Sequence, residues 1–264
     1  MPIVKVCFSP QLYPLYAQDE SVTVVVDILR ATTAICTAFE YGIDYVIPVP
    51  QVEDTYFYKN EEDMLVAAER GGEIVEGFEF GNSPLSYMRD DIRGKKLVIT
   101  TTNGTQAIEA ARGSEFILIG AFVNFTAICN ALVELDRDVM VLCAGWKNRF
   151  NLEDTLFAGA VVEYLKERGF SYATDSDAAI ASLTLYKAAK NDLNAYLAES
   201  SHRNRLARLQ LEKDIDYCLS FDKTRAIPYF TEGRLIDITR SGGIAAMLAA
   251  TVSATTHNIN GRNA

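Results

Sequence analysis

The chain has 264 residues, 49% of them apolar, with 35 acidic against 25 basic side chains and a formal charge of −10. That length and balance suit a globular, enzyme-sized core and exclude a disordered chain; the acidic surplus, with no stripe of Lys or Arg, excludes a nucleic-acid backbone as partner. Five scattered cysteines without a CxxC pair read as reduced thiols of a cytoplasmic protein, and two histidines leave no cluster on which His-based metal chemistry could be built.

The amino terminus turns polar too early for a signal peptide, and no apolar run approaches the length of a membrane span, so no membrane partner is expected. Short apolar runs followed by helical patterns then alternate along the first two-thirds of the chain. Strands are predicted near Ile3–Phe8, Val22–Ile28, Tyr45–Pro48, Leu97–Thr100, Phe116–Ile119 and Val139–Cys143. Helices are predicted at Thr33–Tyr41, Glu53–Glu69, Gln106–Arg112, Asn124–Leu135 and Glu153–Arg168, with Gly42, Gly113 and Gly169 where three of them should stop. Beyond Phe170 the pattern is helix-rich, over Asp177–Lys190, Asn191–Glu199 and Ser201–Leu211, and a last strand or hairpin follows around Ile227–Tyr229 and Leu235–Ile238. The expected architecture is a three-layer α/β/α fold on a mostly parallel or mixed sheet. One domain spans 1–264, with the helix-rich portion 170–225 packed on it.

Chemistry concentrates at predicted strand ends. Val22 to Val26 run into Asp27, Arg30, Thr32 and Thr33, a charged, hydroxyl-bearing turn that opens a helix. Thr32 or Thr33 can cap that helix; Arg30 offers a planar fork to phosphate or sulfonate, and Asp27 suits a hard cation. A strand-end salt bridge plus a cap is the plain alternative. Ser83 and Pro84 read as the cap and first turn of a helix over Leu85–Arg89, which leaves Glu79 and Asn82 either in a simple connection or lining a site. Thr100 to Thr102, Asn103, Gly104 and Thr105 group hydroxyl and amide donors beside a flexible backbone, suited to phosphate oxygens.

After the basic loop Trp146-Lys147-Asn148-Arg149, the acids Glu153 and Asp154 open a helix, where they complement its dipole or hold magnesium. Cys143 lies at a strand end with no histidine nearby in sequence to activate it, and reads as a packed small residue. His202, in Ser201-His202-Arg203-Asn204-Arg205-Leu206-Ala207-Arg208, belongs to a solvated basic helix face unless it or one of its arginines reaches over the site.

Taken in order, Asp27 to Thr32, Gly77 to Pro84, Thr100 to Thr105, Cys143-Ala144-Gly145 and Leu152-Glu153-Asp154 with Ala158-Gly159 resemble the 2-phosphosulfolactate phosphatase family over nearly the whole chain. The resemblance implies a magnesium-dependent phosphatase that hydrolyses 2-phosphosulfolactate to sulfolactate and phosphate, a step of coenzyme M biosynthesis. Glu79 stands where that family more often carries Asp. Haloacid dehalogenase-type phosphatases also start from a strand and an Asp, but they need a second acid two residues on, and that position is Leu29.

On this reading Asp27, Arg30 and Glu153 are catalytic, and Asp27, Glu79, Glu153 and Asp154 bind Mg2+. Arg30, Thr32, Asn82, Thr102, Asn103 and Gly104 cradle the phosphate, while Lys147, Arg149, His202 or Arg203 meets the sulfonate or carboxylate. The partner is a small anionic phosphorylated substrate, and the chain is free to form a homo-oligomer. The alternatives are a phosphatase for another small phosphorylated hydroxy acid and a binding protein that holds phosphorylated ligands without turnover.

Overall fold

The computed structural model describes residues 1–16, 21–172 and 176–249. In chain order the first elements are β1 Ile3–Cys7, β2 Val22–Val26, α1 Ala31–Glu40, β3 Tyr45–Pro48, α2 Val52–Thr55, β4 Met64–Arg70 and β5 Glu73–Ile74. Next come β6 Lys96–Thr100, α3 Gly104–Ala110, β7 Phe116–Gly120, α4 Phe125–Leu135, β8 Val139–Cys143, α5 Leu152–Lys166 and β9 Ser171–Tyr172. The last are α6 Asp177–Ala189, α7 Leu193–Tyr196, α8 Ser201–Arg208, α9 Glu212–Cys218, β10 Pro228–Thr231 and β11 Arg234–Asp237. Among the described residues no helix is long and apolar enough to cross a membrane.

Eleven strands form one mixed sheet in the order β5-β4-β6-β3-β11-β10-β7-β2-β8-β1-β9, the central layer of a three-layer α/β fold. Strands β7, β2, β8, β1 and β9 are mutually parallel, as are β3, β6 and β4. The hairpin β10–β11 joins the two blocks, pairing antiparallel to β7 on one side and to β3 on the other. Two such reversals follow one within the hairpin itself, so the blocks run in opposite senses. The turns after β2 and β6 nevertheless meet, since a Cβ on Gly104 would lie 2.7 Å from Ala31 Cβ.

The sequence explains the centre of the sheet. Strands β2, β7 and β8 are buried at every position because helices cover both faces, which is why they read as unbroken apolar runs rather than alternating ones. Helices α4, α5 and α6 pack side by side over the first block. Gly159 permits the α5–α6 approach: a Cβ there would come within 2.1 Å of the Ser182 carbonyl oxygen. Asn124, buried at the end of β7, donates to the carbonyls of Ile119 (3.1 Å) and Ala226 (3.0 Å), fastening the entry to the hairpin.

Two predicted helices do not form as such. Glu53–Glu69 is not a helix: only α2 and a 3-10 turn over Tyr56–Tyr58 form, and Met64–Arg70 is β4, paired to β6 and β5. Leu65, Val66, Ala67 and Ala68 serve either conformation, and a free edge on β6 decides between them. The helix at 85–89 is likewise a 3-10 turn, Pro84–Tyr87. Helix α1 begins at Ala31 with Arg30 as its cap residue, so Thr32 and Thr33 lie inside the first turn and do not cap it.

Candidate active site

A pocket opens where the two sets of strand ends meet. Asp27 and Arg30 line it from the turn after β2, Glu69 and Gly72 from the end of β4, and Asn82 and Asn103 from the loops that follow β5 and β6. Trp146, after β8, and His202 with Arg205, on α8, complete it.

The turn after β2 is braced before it can bind anything. The Asp27 backbone N–H donates to Thr32 Oγ1 (3.0 Å), the Thr32 N–H donates back to the Asp27 carbonyl (3.1 Å), and Thr33 Oγ1 donates to the Ile28 carbonyl (2.9 Å). Thr32 is thus a brace whose hydroxyl is already engaged. Gly104 lets α3 close on this turn, since a Cβ there would lie 2.7 Å from Ala31 Cβ and 3.1 Å from Asp27 Oδ2. Burial, then the charge of Asp154, pushes the Asp27 carboxyl well above the ordinary carboxylate range; His202 pulls the other way.

Arg30 is buried and committed. Its guanidinium pairs with the buried Asp214 carboxylate and donates to the Gly72 carbonyl at 2.6 Å, while Asp214 also accepts from Ser83 Oγ at 2.8 Å. This is a mainly architectural arginine that locks α9 and the Gly72 turn beside the pocket. Glu69 plays a similar part: it accepts from the Gly72 N–H (2.5 Å), Asn82 Nδ2 (3.2 Å) and the Thr102 N–H (3.1 Å). Thr102 therefore supports Glu69 and does not line the pocket. Asn103 does line it, with its Oδ1 accepting from the Lys147 N–H at 3.0 Å.

The two acids that open α5 have separate fates. Asp154 is fully buried and saturated, accepting from the Ile28 N–H (2.9 Å), the Gly145 N–H (3.1 Å) and Asn151 Nδ2 (2.9 Å). Burial and Glu153 nevertheless hold its pKa well above the usual range. It ties three segments together, with both of its oxygens engaged. Glu153, also fully buried, meets His202 Nδ1 at 2.5 Å through one oxygen, and its Oε2 has no partner among the described residues. Asn82 Oδ1 is a second buried oxygen without one.

Three residues expected at the site lie elsewhere. Glu79, with its side chain 66% exposed, pairs with Arg89 at 2.9 Å on the surface and is not a metal ligand of this pocket. Arg149 is exposed beyond a tight turn closed by two backbone hydrogen bonds with Trp146. Arg203 donates to Asn194 Oδ1 at 3.0 and 3.2 Å, off the pocket face of α8. Burial pushes the Cys143 thiol up, with Asp154 adding to the effect, in keeping with a packed residue.

Glu69, Trp146 and Arg205 are pocket residues that the sequence reading left out. Helical spacing was the available signal for Arg205: residues at i, i+3 and i+4 share a face, so a His202 facing the pocket carries Arg205 and Leu206 with it and turns Arg203 away. Trp146, the single tryptophan of the chain, lies between His202 (5.4 Å between rings) and the Arg205 guanidinium (3.3 Å from its carbon to the ring centre). Burial lowers the Arg205 pKa, opposed by Glu69, Glu153 and Asp27.

Among the described residues no group of three or more His, Cys, Asp or Glu side chains is arranged to hold a metal by itself. Magnesium does not require one, since it keeps several waters and takes one or two carboxylates together with substrate phosphate. Asp27 and the unpartnered Asn82 Oδ1, both in the pocket wall, fit that donor set.

Comparison with known proteins identifies the family of the chain. Residues 7–233 match the family model described as 2-phosphosulpholactate phosphatase. A protein of Thermotoga petrophila named probable 2-phosphosulfolactate phosphatase is 40% identical over 213 residues, 81% of this chain and 90% of its own length. Proteins of the same name from Clostridium novyi, 40% identical over 78% of this chain and 88% of theirs, and Microcystis aeruginosa, 37% over 86% and 96%, extend the likeness. With the match covering most of its length, this chain belongs to the 2-phosphosulpholactate phosphatase family of phosphoric monoester hydrolases.

Proposed function

We propose that this enzyme hydrolyses 2-phosphosulfolactate to sulfolactate and phosphate with the help of magnesium, as in the corresponding step of coenzyme M biosynthesis, in the cytoplasm. The observation that carries the reading is the Glu153–His202 pair facing Asp27 across one pocket. An acid at a braced strand end and an imidazole oriented by a buried carboxylate are the parts that a phosphomonoester hydrolase needs on either side of phosphorus.

Asp27 and Asn82 would hold the magnesium, which when bound supplies charge neutralisation and Lewis-acid polarisation of the phosphoryl group. Asn103 and the turn around Gly104 position phosphate oxygens beside Asp27. With Glu153 ionised, the proton of the neutral imidazole sits on Nδ1 and Nε2 is left for the reaction. In its protonated form His202 delivers a proton from Nε2 to the alcohol oxygen of sulfolactate as that oxygen leaves phosphorus and a water oxygen bonds to phosphorus in its place, the water's proton passing to solvent.

The test is phosphate release from 2-phosphosulfolactate, with magnesium and with excess chelator, set beside phospholactate and phosphoglycerate. Magnesium-dependent release that favours the sulfonated substrate is expected. Equal release from all three would remove the substrate assignment, and release unaffected by chelator would remove the metal.

A further inference from the structure

Helix α8 brings to the pocket a charge that the fold leaves unmet. Arg205 lies over the indole of Trp146, 3.3 Å from the ring centre, so the aromatic ring covers one face of the fork. Its Nε and Nη2 are buried and have no hydrogen-bond partner among the described residues. These two nitrogens share one edge of the guanidinium, with N–H bonds parallel and spaced for two oxygens of a single anion. Burying such donors without a partner is costly, so an unpaired edge in a pocket wall is a place prepared for a ligand. Arg30, the other arginine of the pocket, is already spent on Asp214 and the Gly72 carbonyl.

We infer that the Nε–Nη2 edge of Arg205, held flat by Trp146, takes the sulfonate of the substrate and sets the specificity of the enzyme, an assignment that rests on the substrate reading above. Glu69 lines the same pocket, so a second anion meets repulsion from an acidic side chain. A carboxylate can escape that repulsion by taking up a proton; a sulfonate, the anion of a strong acid, cannot. Its charge needs a cation that keeps its own proton, and guanidinium is the side chain that does so. Arginine is also more weakly hydrated than an ammonium group, so pairing it with a diffuse three-oxygen anion sacrifices little water.

Trp146 supplies a readout without turnover. Its fluorescence would be titrated with sulfolactate, malate and lactate, which share a 2-hydroxy acid and carry a sulfonate, a carboxylate or only hydrogen on the next carbon. Wild type is expected to bind sulfolactate most tightly. In Arg205→Gln that affinity should fall about 100-fold, the scale of a lost charge-assisted pair, while malate and lactate lose much less. Arg205→Lys should recover only part of it, because an ammonium lacks the fork; it also serves if the glutamine variant does not fold. The inference is overturned if sulfolactate affinity is unchanged in both variants, or if it falls by no more than that of the other two acids. Should wild type release no phosphate from 2-phosphosulfolactate, the phosphatase reading fails while the titration still decides the role of Arg205.

Discussion

The segment around Glu79 and the start of α5 are both acidic turns flanked by small or amide residues, and the structure uses them in opposite ways. Glu79 faces solvent with a surface arginine, whereas Glu153 and Asp154 have no exposure at all. The difference lies in the donors supplied nearby. Asp154 is buried because two backbone N–H groups and an amide converge on it, and Glu153 because an imidazole meets it; nothing comparable converges on Glu79. An acid in a turn becomes part of a site when the fold brings donors to it, and its neighbours in sequence do not reveal that.

The sharpest way to break this comparison is Asp154→Ala. It strands three buried donors, at Ile28, Gly145 and Asn151, and should cost roughly 3–5 kcal/mol of stability in urea unfolding. A loss under about 1 kcal/mol would mean that Asp154 is not the tie described. Next in size are Glu153→Gln and His202→Gln. Each should lower kcat about 100-fold or more with the fold intact, the scale of a lost general acid; a change confined to KM would assign the pair to binding.

A smaller and graded effect is expected from pH. Asp27 and Asp154 have folded pKa values raised above their unfolded ones, chiefly by burial. The folded state therefore retains protons that the unfolded state gives up. This stability is fully present below the unfolded carboxylate range near pH 4 and is lost as pH rises through the folded values, at about 1.4 kcal/mol per pH unit for each proton retained. Without divalent cations, Tm should fall between pH 5 and 9, and Asp27→Asn should flatten that slope. A Tm that rises over the same range would refute the assignment. The smallest effect belongs to Glu79→Gln, which should leave turnover and Tm at wild-type values because the ion pair it breaks is exposed.

Much of the fold was legible because periodicity and burial coincide in it. The six predicted strands all form, and the C-terminal hairpin lies where apolar runs flank a turn. What failed was β4, whose Leu-Val-Ala-Ala core carries no strong preference and is made a strand by pairing with the edge of β6, a partner distant in sequence. With β4 went Glu69, read as the last residue of a helix when it stands at a strand end in the pocket. Asp27 and Asn103 were legible as candidates because polar groups end apolar runs there, Asn82 because it stands in a polar turn, and His202 because it stands in a basic helical segment. The commitments of Arg30 to Asp214 and of Asp154 to Ile28 were not, since those partners are separated by 184 and 126 positions.

The hairpin between the two opposed blocks also dictates an order of assembly during synthesis. Strands β3 and β7 both wait for β10 and β11, which among the described residues follow all the other strands. Until then each half presents a bare edge, and a nascent chain stopped before Pro228 would expose two templates for pairing with its neighbours. The hairpin β10–β11 thus acts as the clasp of the sheet, and a product stalled or truncated before it is expected to be a target for chaperones before it is an enzyme.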